Sequence, residues 1–349
     1  MTQDKLSFAS DYMEGAHPEI LRRLAETNLE QTAGYGLDPH SEAARAAICR
    51  VCACPNAGIQ FLVGGTQTNA VVIAGLLRPW QGVLAAQSGH IATHEAGAIE
   101  FTGHKVLPLP QTHGKLTAAD VEAACLTWRN DANHNHMVMP GMVYISQPTE
   151  SGTLYSLAEL TALSEVCRRY ELPLYVDGAR LAYALSAPQN DVSLADLARL
   201  ADAFYIGGTK CGALFGEAVV LPDPERIPHF FTLIKQRGAL LAKGRITGIQ
   251  FEALFADTDG EPLYLHIGDS AVALAAKLQD ALLAKGYALP QRSPTNQVFV
   301  EMPDETLRRL SEHIEYSFWE KSAPDRTVIR FATSWATRSE TVEQLIDLL

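Results

Sequence analysis

The chain has 349 residues, of which 47% are hydrophobic and 19% charged, and its formal net charge is −12. At about 100–200 residues per domain, this length predicts more than one domain. The charged fraction lies below the ~25% of typical soluble chains, which indicates a large core or a buried subunit interface and excludes intrinsic disorder. The acidic charge and the scattered basic residues argue against a nucleic-acid partner. No apolar run reaches the ~18 residues of a membrane span, so no membrane partner is expected.

Cysteine usage and the start of the chain predict where the protein works. Residues 1–5 are polar and lack the basic and then apolar layout of a secretory signal. Six cysteines are too few for a disulfide scaffold, and free thiols fit a reducing compartment. We therefore expect a cytoplasmic protein.

Hydrophobic periodicity predicts helices and short strands that alternate from about residue 18. In chain order, the predicted helices are 18–32, 41–54, 66–78, 92–100, 118–128 and 157–171, and the predicted strands are 59–63, 83–86, 106–109, 142–146, 174–176 and 204–206. Short apolar strands separated by helices are typical of a mainly parallel sheet that is covered on both faces. Such sheets bind ligands beyond the carboxyl ends of their strands.

The pattern changes after the apolar triplet at 219–221. Helices are predicted at 224–255, 263–285 and 339–349, with strands at 298–301, 314–318 and 328–331. This part of the chain predicts a smaller α+β unit. We expect a boundary within 222–262, with a loop at 257–260, and divide the chain into a large unit of residues 1–250 and a small unit of residues 251–349.

A glycine pair, Gly64 and Gly65, separates a predicted strand from a helix that begins near Thr66. Free backbone N–H groups and the helix dipole make such a helix start a candidate phosphate site, to which Thr66 can add a hydroxyl. An ordinary tight turn is the alternative. The segment carries neither the glycine fingerprint of dinucleotide-binding proteins nor that of P-loop proteins, which disfavours an NAD oxidoreductase.

Two reactive side chains also follow buried strands. Asp177 needs a cationic partner or a proton donor there, and an ion pair with Arg180 that closes the loop is the non-functional interpretation. Lys210 follows a strand and a Gly-Gly-Thr turn, where apolar surroundings and positive neighbours would free its amine to react with a carbonyl. A lysine that keeps its charge in solvent at the sheet edge is the alternative.

Taken together, these segments resemble the aspartate aminotransferase-like (fold type I) pyridoxal-phosphate enzymes, and more narrowly the L-threonine aldolase/β-eliminating lyase family. The resemblance runs over nearly the whole chain in family order, through Ser10-Asp11, Tyr35-Gly36, Gly65-Thr66, His90 with Glu95-Ala96-Gly97, Asp177-Gly178-Ala179-Arg180, Lys210 and Arg330. It implies an α/β fold of the pyridoxal-phosphate-dependent transferase type, with a mainly parallel sheet between helices and a smaller C-terminal α+β domain.

The resemblance implies that the cofactor is pyridoxal 5'-phosphate. Lys210 would form a Schiff base with it, and Asp177 would hold the proton of the pyridine nitrogen so that the ring can accept electrons. His90 would stack on the ring. Gly65, Thr66 and Thr209 would hold the phosphate, which Arg245 would reach from a neighbouring subunit, and Arg180 would also belong to the cofactor site. Shared sites of this kind imply a homodimer or homotetramer.

The resemblance also implies how the amino-acid substrate is bound. Arg180 and Arg330, with Ser10, would hold its carboxylate, because a planar guanidinium gives bidentate geometry. Tyr35 would belong to the same substrate site. Many aldolases of this family carry a histidine in the turn after the strand at 143–146, but this turn contains Glu150 instead. The base that acts on the β-hydroxyl is therefore Glu150, His94, His90 or a water.

The function that the resemblance implies is an aldolase that cleaves L-β-hydroxy-α-amino acids, such as threonine, allo-threonine or phenylserine, to glycine and an aldehyde. Another amino-acid lyase, by β-elimination, is the alternative within the fold, and a non-catalytic module is the alternative outside catalysis. Cys49, Cys52 and Cys54 resemble half a metal site, but they lack a second ligand pair, so we predict buried helix cysteines and no metal.

Overall fold

A computed structural model gives the fold of residues 5–258 and 260–349. Most of the polar start and residue 259 of the loop expected at 257–260 lie outside the described residues. The strands are β1 (Leu6–Ser7), β2 (Gly58–Leu62), β3 (Gln81–Ala86), β4 (Val106–Leu109), β5 (Met139–Ser146), β6 (Leu174–Asp177), β7 (Ala203–Gly207), β8 (Glu217–Leu221), β9 (Asp257–Thr258), β10 (Glu261–Pro262), β11 (Gln297–Pro303), β12 (Ile314–Glu315), β13 (Ser317–Ala323) and β14 (Arg326–Ala332).

The helices flank these strands. They are α1 (Pro18–Glu26), α2 (Pro39–Val51), α3 (Gly65–Leu76), α4 (His90–Thr93), α5 (Ala98–Phe101), α6 (Ala118–Asn130), α7 (Leu157–Arg169), α8 (Leu181–Leu185), α9 (Leu194–Leu200), α10 (Phe230–Gln236), α11 (Arg245–Leu254), α12 (Asp269–Ala284), α13 (Asp304–Leu310) and α14 (Ser339–Leu348). No helix of the described residues is both long and apolar enough to cross a bilayer.

Seven strands form the central sheet in the spatial order β2-β8-β7-β6-β5-β3-β4. The pairs from β7 through β4 are parallel, which confirms the predicted sheet type. β8 alone runs antiparallel to its neighbours β2 and β7. Only residues 208–216 join β7 to β8, and a parallel crossover needs about a dozen residues or more, so the short connection imposes the reversed direction.

Both faces of this sheet are buried. Along β5, Val143 and Ile145 enter one apolar cluster, whereas Met142 and Tyr144 enter another on the opposite face. Adjacent residues of a strand point to opposite faces, so helices must cover both. A third apolar cluster is built from Phe8 and from residues between Leu274 and Leu345. It supports the proposed division of the chain into a large unit and a small C-terminal unit.

Several predicted helices are divided or shortened where the backbone turns left-handed. The helix predicted at 92–100 is the pair α4 and α5, because Ala96 and Gly97 between them have φ of 51° and 74°. The helix predicted at 224–255 breaks into a 3-10 turn, α10 and α11, with His229 at φ 59°. α2 ends at Val51, so Cys52 and Cys54 lie outside the helix in which they were predicted. Of Cys49, Cys52 and Cys54, only Cys52 is buried, so the prediction of buried helix cysteines is wrong for each of them in position or in burial.

The smaller elements also differ from the predictions. The strand expected at 314–318 is two strands: β12 pairs with β1 near the start of the chain, and β13 pairs with β14. The helix expected at 263–285 begins as a 3-10 turn at Leu263–Leu265 and continues as α12. Hydrophobic periodicity alone does not mark such breaks within an element.

Candidate active site

A pocket of about 300 Å³ opens beyond the carboxyl ends of β5, β6 and β7. It collects eight of the predicted site residues: Gly65, Thr66, His90, Glu150, Asp177, Arg180, Thr209 and Lys210. A wider cavity of about 820 Å³ shares His90, Glu150, Arg180 and Lys210 with this pocket and adds His94 and Arg330. Residues as far apart in the sequence as His90 and Arg330 therefore meet at the edge of the sheet where parallel folds bind ligands.

Two glycines hold the ends of β6 and β7 close together. A Cβ atom on Gly178 would lie 2.0 Å from the carbonyl oxygen of Tyr205, and one on Gly207 would lie 2.5 Å from that of Ala179. Any larger residue at either position would push the two strand ends apart. The glycines thus keep the segments that carry Asp177 and Lys210 in one site.

The carboxylate of Asp177 is buried and accepts four hydrogen bonds. Oδ2 accepts from Tyr144 at 2.6 Å and from Asn69 at 3.0 Å, and Oδ1 accepts from Tyr205 at 2.5 Å and from the Ala179 N–H at 3.0 Å. Burial would raise the pKa of this carboxyl, but His90 and the donated hydrogen bonds outweigh it and hold the pKa below its usual range. Asp177 is therefore an anion that can face a protonated ring nitrogen.

A buried polar chain connects Asp177 to His90. The Nδ1 atom of His90 lies 2.7 Å from Oε1 of Glu95, which also accepts from Asn69 at 2.8 Å. Tyr175 donates to Asn69 Oδ1 at 2.9 Å. Because Glu95 is an acceptor, it fixes a proton on Nδ1 of His90 and orients the imidazole ring over the pocket entrance.

Lys210 lies in the turn after β7. Its backbone carbonyl accepts from the Tyr183 hydroxyl at 2.6 Å, while its amine has no hydrogen-bond partner within the described ranges. Burial, and next the Arg180 guanidinium, lower the pKa of the amine below its ordinary value, although nearby carboxylates oppose them. An amine of this kind is more available as a nucleophile toward a carbonyl group.

The polar groups predicted to hold a substrate carboxylate include Arg330 on β14 and the buried hydroxyl of Ser10. Arg330 donates from Nη1 to Gln297 Oε1 at 3.0 Å, while its own Nε and the Nε2 atom of Gln297 are buried without partners. The hydroxyl of Ser10 is also buried and unpartnered. Buried donors without acceptors are costly, so these orphan atoms mark a place where an anion fits.

Arg180 is held by Asp11 and not by Asp177. Its Nε and Nη2 donate to the two carboxylate oxygens of Asp11 at 2.6 and 2.9 Å, so the ion pair with Asp177 considered above is wrong. Asp11 also accepts from Asn296 at 2.9 Å. This pairing fixes the guanidinium but leaves fewer of its donors for substrate.

Glu150 lies between the two cavities and is half-buried. Its Oε1 accepts from the His90 N–H at 2.9 Å and from the Ser146 hydroxyl at 2.7 Å, while Oε2 has no partner in the described part of the chain. Burial raises the pKa of Glu150, and the Ser146 hydrogen bond opposes the shift only in part. His94 lines the wider cavity, and burial lowers its pKa.

Comparison with known proteins identifies the family. Residues 7–305 match the β-eliminating lyase family. The low specificity L-threonine aldolase of Pseudomonas aeruginosa is 30% identical over 99% of this chain and 97% of its own length. The chain belongs to the β-eliminating lyase family. The threonine aldolase of Leishmania major has a similar structure, with a TM-score of 0.94, 44% identity and 98% coverage of both chains.

More distant structures share the fold of this β-eliminating lyase. A double mutant of Thermus thermophilus aspartate aminotransferase has a TM-score of 0.73 at 14% identity and covers 99% of this chain and 91% of its own. The resemblance to fold type I enzymes that the strand-end motifs indicated is thereby confirmed.

Two residues implied by the family resemblance, Arg245 and Tyr35, lie away from the pocket, and a third, Ser10, lines neither cavity. Arg245 donates to the carbonyls of Thr27, Asn28 and Glu30 just after α1. Tyr35 is exposed, and the Lys235 amine lies 4.6 Å from the centroid of its ring. Within one chain, neither side chain lines either cavity.

The residues that form hydrogen bonds with Asp177 and Arg180 were not predicted from the sequence to have a role in the site. Asn69 lies three residues after Thr66 on α3, which puts the two side chains on one helix face. Tyr144, Tyr175 and Tyr205 each lie two positions before a strand-end residue, and alternate strand residues share a face. These periodicities could have found them. For Asp11 and Gln297, only the three-dimensional structure reveals the partners.

Proposed function

We propose that this β-eliminating lyase is a pyridoxal-phosphate-dependent aldolase that cleaves L-β-hydroxy-α-amino acids to glycine and an aldehyde. The relatives named above are threonine aldolases, which supports threonine, allo-threonine or phenylserine as substrates. The observation that carries the proposal is the union of Lys210, Asp177 and His90 in one pocket, beside a cavity that contains Arg330.

The residues of the smaller pocket fit pyridoxal phosphate. Its volume of about 300 Å³ lies at the lower end of the usual range for small-molecule sites, ~300–1,000 Å³. The Lys210 amine has a lowered pKa and suits a carbonyl carbon, and the Asp177 carboxylate suits a protonated pyridine nitrogen. At the other end, the N-terminus of α3 at Gly65 and Thr66 suits a phosphate.

The bound cofactor would supply an electron-accepting ring, which stores the electron pair released when the Cα–Cβ bond breaks. The side chains of the protein do the rest. Arg330 holds the substrate carboxylate, and this contact sets the rotation about Cα so that the correct bond breaks. Glu150 accepts the proton of the β-hydroxyl at its unpartnered Oε2. Glu95 holds the His90 imidazole through Nδ1, and His90 would stack on the cofactor ring.

The test of this function is covalent labelling at Lys210. Protein incubated with pyridoxal phosphate and then reduced with borohydride should carry the pyridoxyl group on Lys210, as read by peptide mass mapping. Lys115→Ala is the matched control, because Lys115 pairs with Glu159 away from the pocket and its loss should leave labelling unchanged. The labelled site should vanish in Lys210→Ala. Unlabelled Lys210, or no aldehyde release from any β-hydroxy amino acid, would reject the proposal.

We also propose a homodimer or homotetramer in which Arg245 reaches the phosphate of a neighbouring subunit. Supporting this, Arg245 and Tyr35 lie on segments that meet, since a Cβ atom on Gly244 would be 2.4 Å from the Gly36 nitrogen. Charge-assisted hydrogen bonds contribute ~1.5–3 kcal/mol, so Arg245→Ala should weaken cofactor affinity about 10–150-fold. Arg23→Ala is the control: it removes a nearby charge that pairs with Glu252, and it should not weaken cofactor affinity. A protein that sediments as a monomer and is nevertheless fully active would contradict the shared site.

A cytoplasmic location stays part of the proposal. The six cysteines are all unpaired, which suits a reducing compartment.

A further inference from the structure

Glu217 is a buried carboxyl group at the cofactor pocket that the proposed aldolase chemistry does not use. Glu217 is only 3% exposed, yet it lines the pocket together with Gly65, Thr66 and Lys210. It begins β8, the strand that runs opposite to its neighbours, and pairs with Leu62 of β2 and with the last residue of β7. The reversed direction places the start of β8 at the edge where the parallel strands end.

Glu217 forms a hydrogen bond with Thr209, a residue that was predicted to hold the phosphate. Oε2 accepts from the Gly208 N–H at 3.0 Å, and Oε1 accepts from the Thr209 hydroxyl at 2.8 Å. The Thr209 oxygen itself accepts from the Gly216 N–H at 3.0 Å. The single hydroxyl proton of Thr209 is therefore directed to Glu217, and in this arrangement Thr209 has no proton to donate to a phosphate.

The burial of Glu217 favours its neutral form. Burial raises the pKa of this carboxyl to about 8, although the Thr209 hydrogen bond and the Lys210 amine lower it. The titratable groups that interact with it are Lys210, Asp177, Tyr175, Tyr205, Tyr264 and Cys211. A phosphate dianion in the same pocket would add a repulsive charge, and a nearby like charge disfavours ionisation further.

We propose that Glu217 is a proton-binding residue of the phosphate site, whose carboxyl is neutral when a phosphate group occupies the pocket. The neutral carboxyl donates its hydrogen to the Thr209 oxygen, and the Thr209 hydroxyl turns to donate to the phosphate. Each Glu217 that was ionised before the phosphate entered takes up one proton from solvent, and no bond to carbon changes. This inference rests on the proposed function, since it needs pyridoxal phosphate beside Lys210.

The test compares pyridoxal phosphate with pyridoxal, which reacts with the same lysine but has no phosphate. Both dissociation constants are measured by absorbance titration of the full-length protein, freed of cofactor, between pH 7 and pH 9. The phosphate is a dianion over this range because its second pKa is ~6. As Glu217 ionises near pH 8, the preference for pyridoxal phosphate over pyridoxal should fall about tenfold in the parent protein.

Glu217→Gln distinguishes a proton-binding role from a structural one. Glutamine is neutral at every pH and can accept from the Gly208 N–H while donating to the Thr209 oxygen. Its preference for pyridoxal phosphate should not change with pH, and at pH 9 it should bind pyridoxal phosphate about tenfold more tightly than the parent. Weaker binding at both pH values, or the same pH dependence as the parent, would overturn the proposal.

Calorimetry on the parent protein keeps the test decisive even if the variant does not fold. Titrations with pyridoxal phosphate at pH 8.5, in buffers of different ionisation enthalpy, should give proton uptake that pyridoxal does not give. Equal proton uptake with both ligands would overturn the role of Glu217. Absence of any pyridoxal phosphate binding would instead reject the aldolase function itself, so the two failures are distinguishable.

Discussion

Glu150→Gln is expected to slow the cleavage of a β-hydroxy amino acid about 10²–10⁴-fold, the usual cost of removing a general base. The amide oxygen can keep the hydrogen bonds from the His90 N–H and Ser146, so cofactor and substrate binding should survive. The amide nitrogen would replace the unpartnered Oε2 and cannot accept a proton. Steady-state and single-turnover assays with threonine or phenylserine measure the effect.

The pH profile of this reaction has a definite sign. Because burial raises the pKa of Glu150, the carboxyl takes up its proton at a higher pH than an exposed glutamate would. A base works only when it is deprotonated, so kcat/KM should fall as the pH drops through this raised pKa. The acidic fall that belongs to Glu150 should be missing from the residual activity of Glu150→Gln.

Matched variants separate Glu150 from the two histidines. Exchange of the glycine α-proton needs no chemistry at a β-hydroxyl, so Glu150→Gln should nearly spare it. His90→Ala should impair both exchange and cleavage, since that ring is proposed to stack on the cofactor. If Glu150→Gln cleaves at the parent rate while His94→Ala does not, the base is His94.

Arg330→Lys is expected to lower kcat/KM about 10–150-fold, which corresponds to the ~1.5–3 kcal/mol of a charge-assisted contact. Burial, and next the Arg180 guanidinium, lower the pKa of Arg330 to about 10, so the residue still carries its charge at neutral pH. An ammonium has the charge but not the planar pair of donors that matches a carboxylate. Initial rates over a range of substrate concentrations measure the change.

The same strand offers a control for Arg330. Arg326→Lys, also on β14, alters a partly exposed ion pair with Glu301 and should leave kcat/KM within about twofold, as expected for surface pairs. Cofactor affinity should be unchanged in both variants. An Arg330→Lys protein that loses cofactor but keeps substrate affinity would show that Arg330 belongs to the cofactor site.

Site residues could be predicted from the sequence where the evidence for them lies in a short neighbouring segment of the chain. Asp177 ends one apolar strand and Lys210 lies three residues after another, so position along the chain alone placed them near one sheet edge. Glu217 was not predicted, because its place at that edge depends on the reversed direction of β8. The apolar residues that follow it along β8 suit a parallel or an antiparallel strand equally well.

Contacts between residues far apart in the sequence also could not be predicted from short sequence segments. The sequence places Arg180 three residues after Asp177, which favours a local ion pair, but the fold brings Asp11 closer. The break between α4 and α5 escaped prediction because Ala96, a strong helix former, adopts a left-handed conformation there. Tertiary context decides both cases.

Asp11 joins three parts of the chain at once. It belongs to the N-terminal segment, binds Arg180 beyond β6, and accepts from Asn296 just before β11, while Arg330 donates to the carbonyl of Ala9 at 3.3 Å. The Asp11–Asn296 and Arg330–Ala9 hydrogen bonds run between the proposed large and small units, so a motion of one unit against the other would have to stretch them. A substrate that bound more tightly to one arrangement of the two units would then shift the protein toward that arrangement.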